Sequence, residues 1–225
     1  MRIIEIKLLI FLFVFIQIPG HAQSKKDMKN NTMTISLKTG KNPISYFETL
    51  SIEPTNLFIQ SKPVNNQSPH IQLALNVIEV DNKYATHLWY AADSSDKQII
   101  NYPKAFKQYA FHLKVNKSEV ALVVEKLAFE KAFFIDLGQI AIIENFSLQY
   151  EQCIGEWSED IEGNQEAAFN TYSILLSAGD AQETISFTST DQSDKKQQTL
   201  TWKNYKILVL EDDDKSLKLM VYKKD

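Results

Sequence analysis

Apolar and polar side chains alternate with a period of two along most of this chain. Met33, Ile35 and Leu37 alternate with Thr34, Ser36 and Lys38 before Gly40 and Pro43 end the run. Ile71, Leu73, Leu75 and Val77 repeat the pattern, and the turn residues Asp81 to Lys83 lead into a returning run from Tyr84 to Tyr90, which predicts a hairpin. Tyr109, Phe111, Leu113 and Val115 make another alternating run, closed by Asn116 and Lys117. Successive side chains of a strand point to opposite faces, so this spacing belongs to strands buried on one side.

The second half continues in the same way. Ile140 and Ile142 are followed by Phe146, Leu148 and Tyr150, and the change of register at Glu144 and Asn145 predicts a bulge or bend in one long strand. Tyr172, Ile174 and Leu176 run into a turn at residues 178–180, and Ile185 and Phe187 return from it. Tyr205 to Leu210 and Leu217 to Tyr222 flank an acidic turn and predict a closing hairpin. The segment from Ser118 to Asp136 has two readings. It is a helix capped by Ser118, with Val120, Val124 and Leu127 on one face, or two strands, Glu119 to Glu125 and Ala132 to Asp136, joined by a turn at Glu130 and Lys131. The β-branched Val120, Val123 and Val124 favour the strands.

These runs predict an all-β fold: an antiparallel β-sandwich of roughly ten to twelve strands with at most one short helix. It occupies residues 33–225 as one domain, or as two smaller sandwiches dividing near 128–138. The chain has only six glycines and six prolines, so Asn, Asp, Lys and Ser have to supply many of the turns. No fixed-period repeat is present.

The N-terminus departs from this pattern. Arg2 and Lys7 precede an apolar stretch from Leu8 to Phe15 that extends through Ile16 and Ile18, and Gly20 and Ala22 occupy the small-residue positions of a cleavage site. A membrane span needs about 20 apolar residues and this run has roughly half, so residues 1–22 read as a cleavable signal peptide and not as a stable membrane anchor. Residues 23–32 are mostly polar and read as a flexible leader. The expected location is the periplasm, the cell surface or the medium.

Charge narrows the partners. Removal of residues 1–22 takes Arg2, Lys7 and Glu5 from the 24 basic and 28 acidic residues, leaving 22 and 27, a net charge of −5. A nucleic-acid surface needs clustered Lys and Arg to replace counterions, so nucleic acid is not an expected partner. Cys153 is the only cysteine, so packing has to hold the fold without an internal disulfide, and its side chain reads as a small buried hydrophobe in a strand end.

Candidate chemistry centres on the acidic stretch Glu156, Trp157, Ser158, Glu159, Asp160, Ile161 and Glu162. An aromatic ring beside several carboxylates is a candidate ligand-binding loop, and Trp157, Glu156, Glu159 and Asp160 are its candidate residues. Paired carboxylates also serve glycoside hydrolysis, and oxygen ligands serve calcium, but neither a glycosidase motif nor the spacing of a calcium loop is present. Asp212, Asp213 and Asp214 read as a decorated hairpin tip. His70, His87 and His112 show no metal-ligand spacing, and no G-x-S-x-G or phosphate loop occurs, so no catalytic residue, metal or cofactor is assigned. Trp89 and Trp202 sit within strand-like runs and read as core, whereas Trp157 reads as exposed; Tyr102 is a further aromatic near a strand end.

The expected function is therefore that of an exported binding or interaction module for a glycan or another envelope protein. The rivals are a hydrolase using carboxylates of residues 156–162 and a calcium-stabilised structural protein. Expression in a Gram-negative host should yield a secreted or periplasmic protein beginning at Gln23. Intact-mass measurement checks this, and recovery of the uncleaved chain in the cytosol contradicts it.

Overall fold

The computed structural model describes residues 32–62, 69–80, 82–91, 103–116, 119–157, 159, 161–163, 169–190 and 198–224. The expected signal peptide, nearly all of the expected leader, Ser118, Tyr102 and Asp160 lie outside the described residues. Sixteen strands and no helix are found among those described. In the first half these are β1 (Thr32–Leu37), β2 (Ser45–Phe47), β3 (Leu50–Gln60), β4 (His70–Glu79), β5 (Asn82–Ala91), β6 (Lys104–Phe106), β7 (Tyr109–Asn116) and β8 (Glu119–Lys126). The second half holds β9 (Ala132–Asp136), β10 (Ile140–Ile143), β11 (Phe146–Glu156), β12 (Phe169–Ala178), β13 (Ala181–Thr190), β14 (Gln198–Trp202), β15 (Tyr205–Asp212) and β16 (Ser216–Lys223).

The strands form three sheets. A long sheet of eight has the order β1-β8-β7-β6-β9-β16-β15-β14, and two sheets of four have the orders β2-β3-β4-β5 and β10-β11-β12-β13. Each small sheet shares a buried cluster with one half of the long sheet. Leu50, Ile52, Leu73, Leu75 and Val77 of the β2–β5 sheet bury with Ile35, Phe111, Leu122 and Val124. Leu148, Tyr150, Tyr172 and Ile174 of the β10–β13 sheet bury with Phe133, Ile135, Ile207, Leu217 and Leu219.

The register shows that these two clusters lie on opposite faces of the long sheet. Val124 pairs with Phe111, Phe111 with Lys104, Lys104 with Phe134, and Phe134 with Lys218, so all five side chains share one face. Phe111 and Val124 on that face belong to the first cluster. On the other face Ala105, Phe133, Ile135, Leu217 and Leu219 belong to the second. Adjacent residues of β6 therefore feed different cores, Ala105 the second and Phe106 the first.

Polar contacts fasten the β2–β5 sheet to the long sheet. The hairpin residue Glu48 accepts hydrogen bonds from the Tyr109 hydroxyl at 2.7 Å and pairs with Lys126 at 3.0 Å. Glu79 pairs with Lys107 and also accepts from Thr49 at 2.8 Å. At the β5 edge the Tyr84 ring stacks on Phe106 at 5.1 Å and its hydroxyl donates to Asp136 at 2.5 Å. Burial, and then the Asp136 carboxylate, push the Tyr84 phenol well above its ordinary range. The hairpin tips themselves are tight. Glu48, Val80, Lys107, Glu144 and Lys203 hold positive φ, between 50° and 56°, at positions that glycine favours.

Several expectations change. Sixteen strands among the described residues replace ten to twelve because β2, β6 and β14 are short, β3 is irregular, and one expected long strand is the pair β10 and β11. β3 escapes the period-two reading because its register shifts between Pro54 and Asn56, which displaces Leu57 and Ile59 by one position from Leu50 and Ile52. Glu144 and Asn145 form a hairpin turn between β10 and β11, with Ile143 paired to Phe146, where a bulge within one strand was expected. The segment after Ser118 keeps to expectation, since it forms two strands, β8 and β9, the reading its β-branched residues favoured. Not every pair is antiparallel, since β6 lies parallel to β9. β1 starts at Thr32, inside the expected leader.

The Lys107 ammonium holds the Glu79 carboxyl below its ordinary value of 4.5, and the Tyr109 hydroxyl does the same for Glu48. A carboxylate with a depressed folded pKa adds stability above its unfolded pKa and loses it as pH falls through the folded value. The melting temperature should therefore drop as pH is lowered from about 4.5 towards 3. Glu79→Gln should cost about 1 kcal/mol at pH 7, as partly exposed pairs do, and shrink that acid drop. Identical acid sensitivity in the variant and the parent would remove Glu79 from this account.

Candidate functional site

The residues expected to bind ligand lie at the far end of β11. Glu156 ends that strand, in register with Phe169 of β12, and is exposed. Trp157 is 58% exposed and Glu159 is exposed. Trp157 makes no ring contact with another described residue. Among the described residues no group of three or more His, Cys, Asp or Glu is placed to hold a metal.

The acidic turn between β15 and β16 is more than decoration. Asp212 Oδ2 accepts hydrogen bonds from the Tyr172 hydroxyl at 2.9 Å and from Ser189 Oγ at 2.7 Å, so it ties β15 to β12 and β13. The Tyr150 hydroxyl donates to the backbone carbonyls of Asp213 and Asp214, each at 3.3 Å. Burial pushes both tyrosines well above the ordinary phenol range. Cys153 is half-buried against the second core beside this cluster.

A different constellation stands on the outer face of the β2–β5 sheet. Leu57, Leu73 and Leu88 point into the core, so the next row of the register, Phe58, Gln72 and Trp89, points outward. Phe58 is 47% and Trp89 37% exposed, although Trp89 was expected in the core; Trp202, at 5%, is in the core. Neighbouring strands lie about 4.8 Å apart, which sets Phe58 and Trp89 roughly 10 Å apart on either side of the Gln72 amide. His70 lies on the same outer face, one row further along β4 from Gln72 and buried there, its ring 5.9 Å from Phe58 and 5.5 Å from Trp89. The three rings make a continuous aromatic strip across β3, β4 and β5. Further along the same face Asn76 Nδ2 donates to Glu53 at 2.9 Å, so the strip is flanked by polar groups.

Trp89 also lines a cavity of about 50 Å³ between β5 and the long sheet, together with Leu88, Lys104, Leu113, Phe134 and Ser216. His87 and His112 complete its wall. Lys104 is held there by Asp136 at 3.0 Å and by Thr86 Oγ1 at 3.1 Å. Burial is the main cause holding His112 below the ordinary histidine range.

The sequence contained these residues but not their neighbourhood. Phe58 follows an irregularity in β3, and His70 looks like one of several scattered histidines until the register places it between two aromatics. Comparison with protein-family models gives no match, and none of the curated proteins matches the chain.

Proposed function

We propose that this chain is an exported, non-enzymatic binding module, built as two β-sandwiches on a shared sheet, that holds a glycan against the outer face of its β2–β5 sheet. The observation that carries this reading is the row Phe58, Gln72 and Trp89, with His70 bridging the two rings from the next row of the same face. An exposed aromatic strip flanked by polar groups is costly to leave wet and marks a binding surface. A sugar ring has an apolar C–H face and a rim of hydroxyl groups. Flat rings cover the first, and an amide, with donors and an acceptor, addresses the second. Trp157 is exposed too, but makes no ring contact with another described residue.

Binding to a panel of neutral oligosaccharides, measured by calorimetry, tests the reading. Phe58→Ala and Trp89→Ala should each weaken binding about tenfold, equivalent to about 1.4 kcal/mol, with the melting temperature nearly unchanged because both side chains are partly exposed. Trp157→Ala should leave affinity as it is. Loss of binding in Trp157→Ala alone would move the site to the acidic stretch, and absence of binding across the panel would end the glycan reading.

A further inference from the structure

The aromatic strip and the cavity beside it meet at Trp89, which belongs to both. A sugar stacked over that indole has a substituent within reach of the cavity, and the lining determines which substituent fits. Room comes first. A site needs about 10 to 15 Å³ to hold one water, so about 50 Å³ accommodates about three or four heavy atoms.

Charge comes second. The one ammonium in the wall, on Lys104, is already offset by Asp136, and His112, which alternates with Phe111 and Leu113 in β7, turns its imidazole to the opposite face of the long sheet. A carboxylate or phosphate entering the cavity would lose its hydration and find no uncompensated cation, which disfavours it. An ammonium would find only an acid already engaged by Lys104 and Tyr84. The group that enters is therefore uncharged.

Polarity comes third. Lys104 uses its ammonium on Asp136 and Thr86, and with three donors it keeps one more hydrogen for an acceptor oxygen. Ser216 brings a hydroxyl that accepts as well as donates. Leu88, Leu113 and Phe134 form an apolar wall. A small neutral group with a carbonyl acceptor, an N–H donor and a methyl matches all three: the carbonyl to Lys104, the N–H to Ser216, the methyl against the leucines and Phe134. A hydroxyl would leave that apolar wall uncovered.

We infer that the ligand is an N-acetylated amino sugar in a glycan chain, its ring stacked on Trp89 and its acetamido group seated in the cavity beside Lys104 and Ser216. This inference rests on the glycan reading of the outer face. The test compares three trisaccharides of one backbone geometry on the full mature chain: tri-N-acetylchitotriose, its deacetylated form and cellotriose. The acetylated form should bind at least tenfold more tightly than either of the others. Ser216→Leu, which fills the cavity from a partly exposed strand end, should abolish that preference while retaining residual binding through Trp89, with folding verified by circular dichroism.

Equal affinity for tri-N-acetylchitotriose and cellotriose, undisturbed by Ser216→Leu but lost in Trp89→Ala, would overturn the acetamido assignment and leave the aromatic platform standing. No binding of any of the three, with none in the wider oligosaccharide panel, would overturn both.

Discussion

The three residues of β6 carry a constraint on which both cores depend. Side chains of a strand alternate between its faces, so a strand shared by two cores on opposite sides has to supply them with neighbouring residues. Ala105 and Phe106 do this, and the parallel contact between Lys104 and Phe134 joins the first half of the long sheet to the second. Had both small sheets covered the same face, the opposite face would have been bare along all eight strands. Placing them on opposite sides gives each half of the long sheet its own buried cluster, on opposite faces.

That placement also positions the candidate binding region. The β5 edge of the small sheet comes down beside β7, and its polar and aromatic contacts through Tyr84, Thr86 and Lys104 anchor it to β6 and β9. The cavity lies along this seam, where a wall of leucine and phenylalanine meets an ion pair already satisfied. Trp89 stands at the same edge, so the seam and the outer face of the sheet share a residue. The site is thus a by-product of how two layers join, held by residues whose first duty is structural.

Much of the fold was legible because period-two alternation is a direct readout of one-sided burial. The runs at Met33, Ile71, Tyr109, Tyr172 and Leu217 all appear as strands with the expected inward residues. What escaped was short or irregular: β6 has too few residues to show a period, and β3 changes its inward set across Pro54 and Asn56. The site was less legible for a related reason. Phe58, Gln72 and Trp89 come from three strands, and their adjacency exists only once register is set. Trp89 looked like a core residue because its run alternates, yet alternation does not say which of two sets faces in. Composition pointed to the conspicuous acidic stretch around Trp157, whereas the aromatic strip is spread over residues 58–89 and has no local signature.

The brevity of β6 has a consequence for how the molecule breathes. Each half holds its own apolar interior, while among the described residues β6 meets β9 at the single register pair Lys104 and Phe134. Cooperative opening follows such boundaries. The splice should therefore be where amide protons exchange through sub-global fluctuations, letting one half loosen while its neighbour stays intact. A ligand seated at the β5 seam would brace that boundary, coupling occupancy of a surface groove to the integrity of the whole sheet.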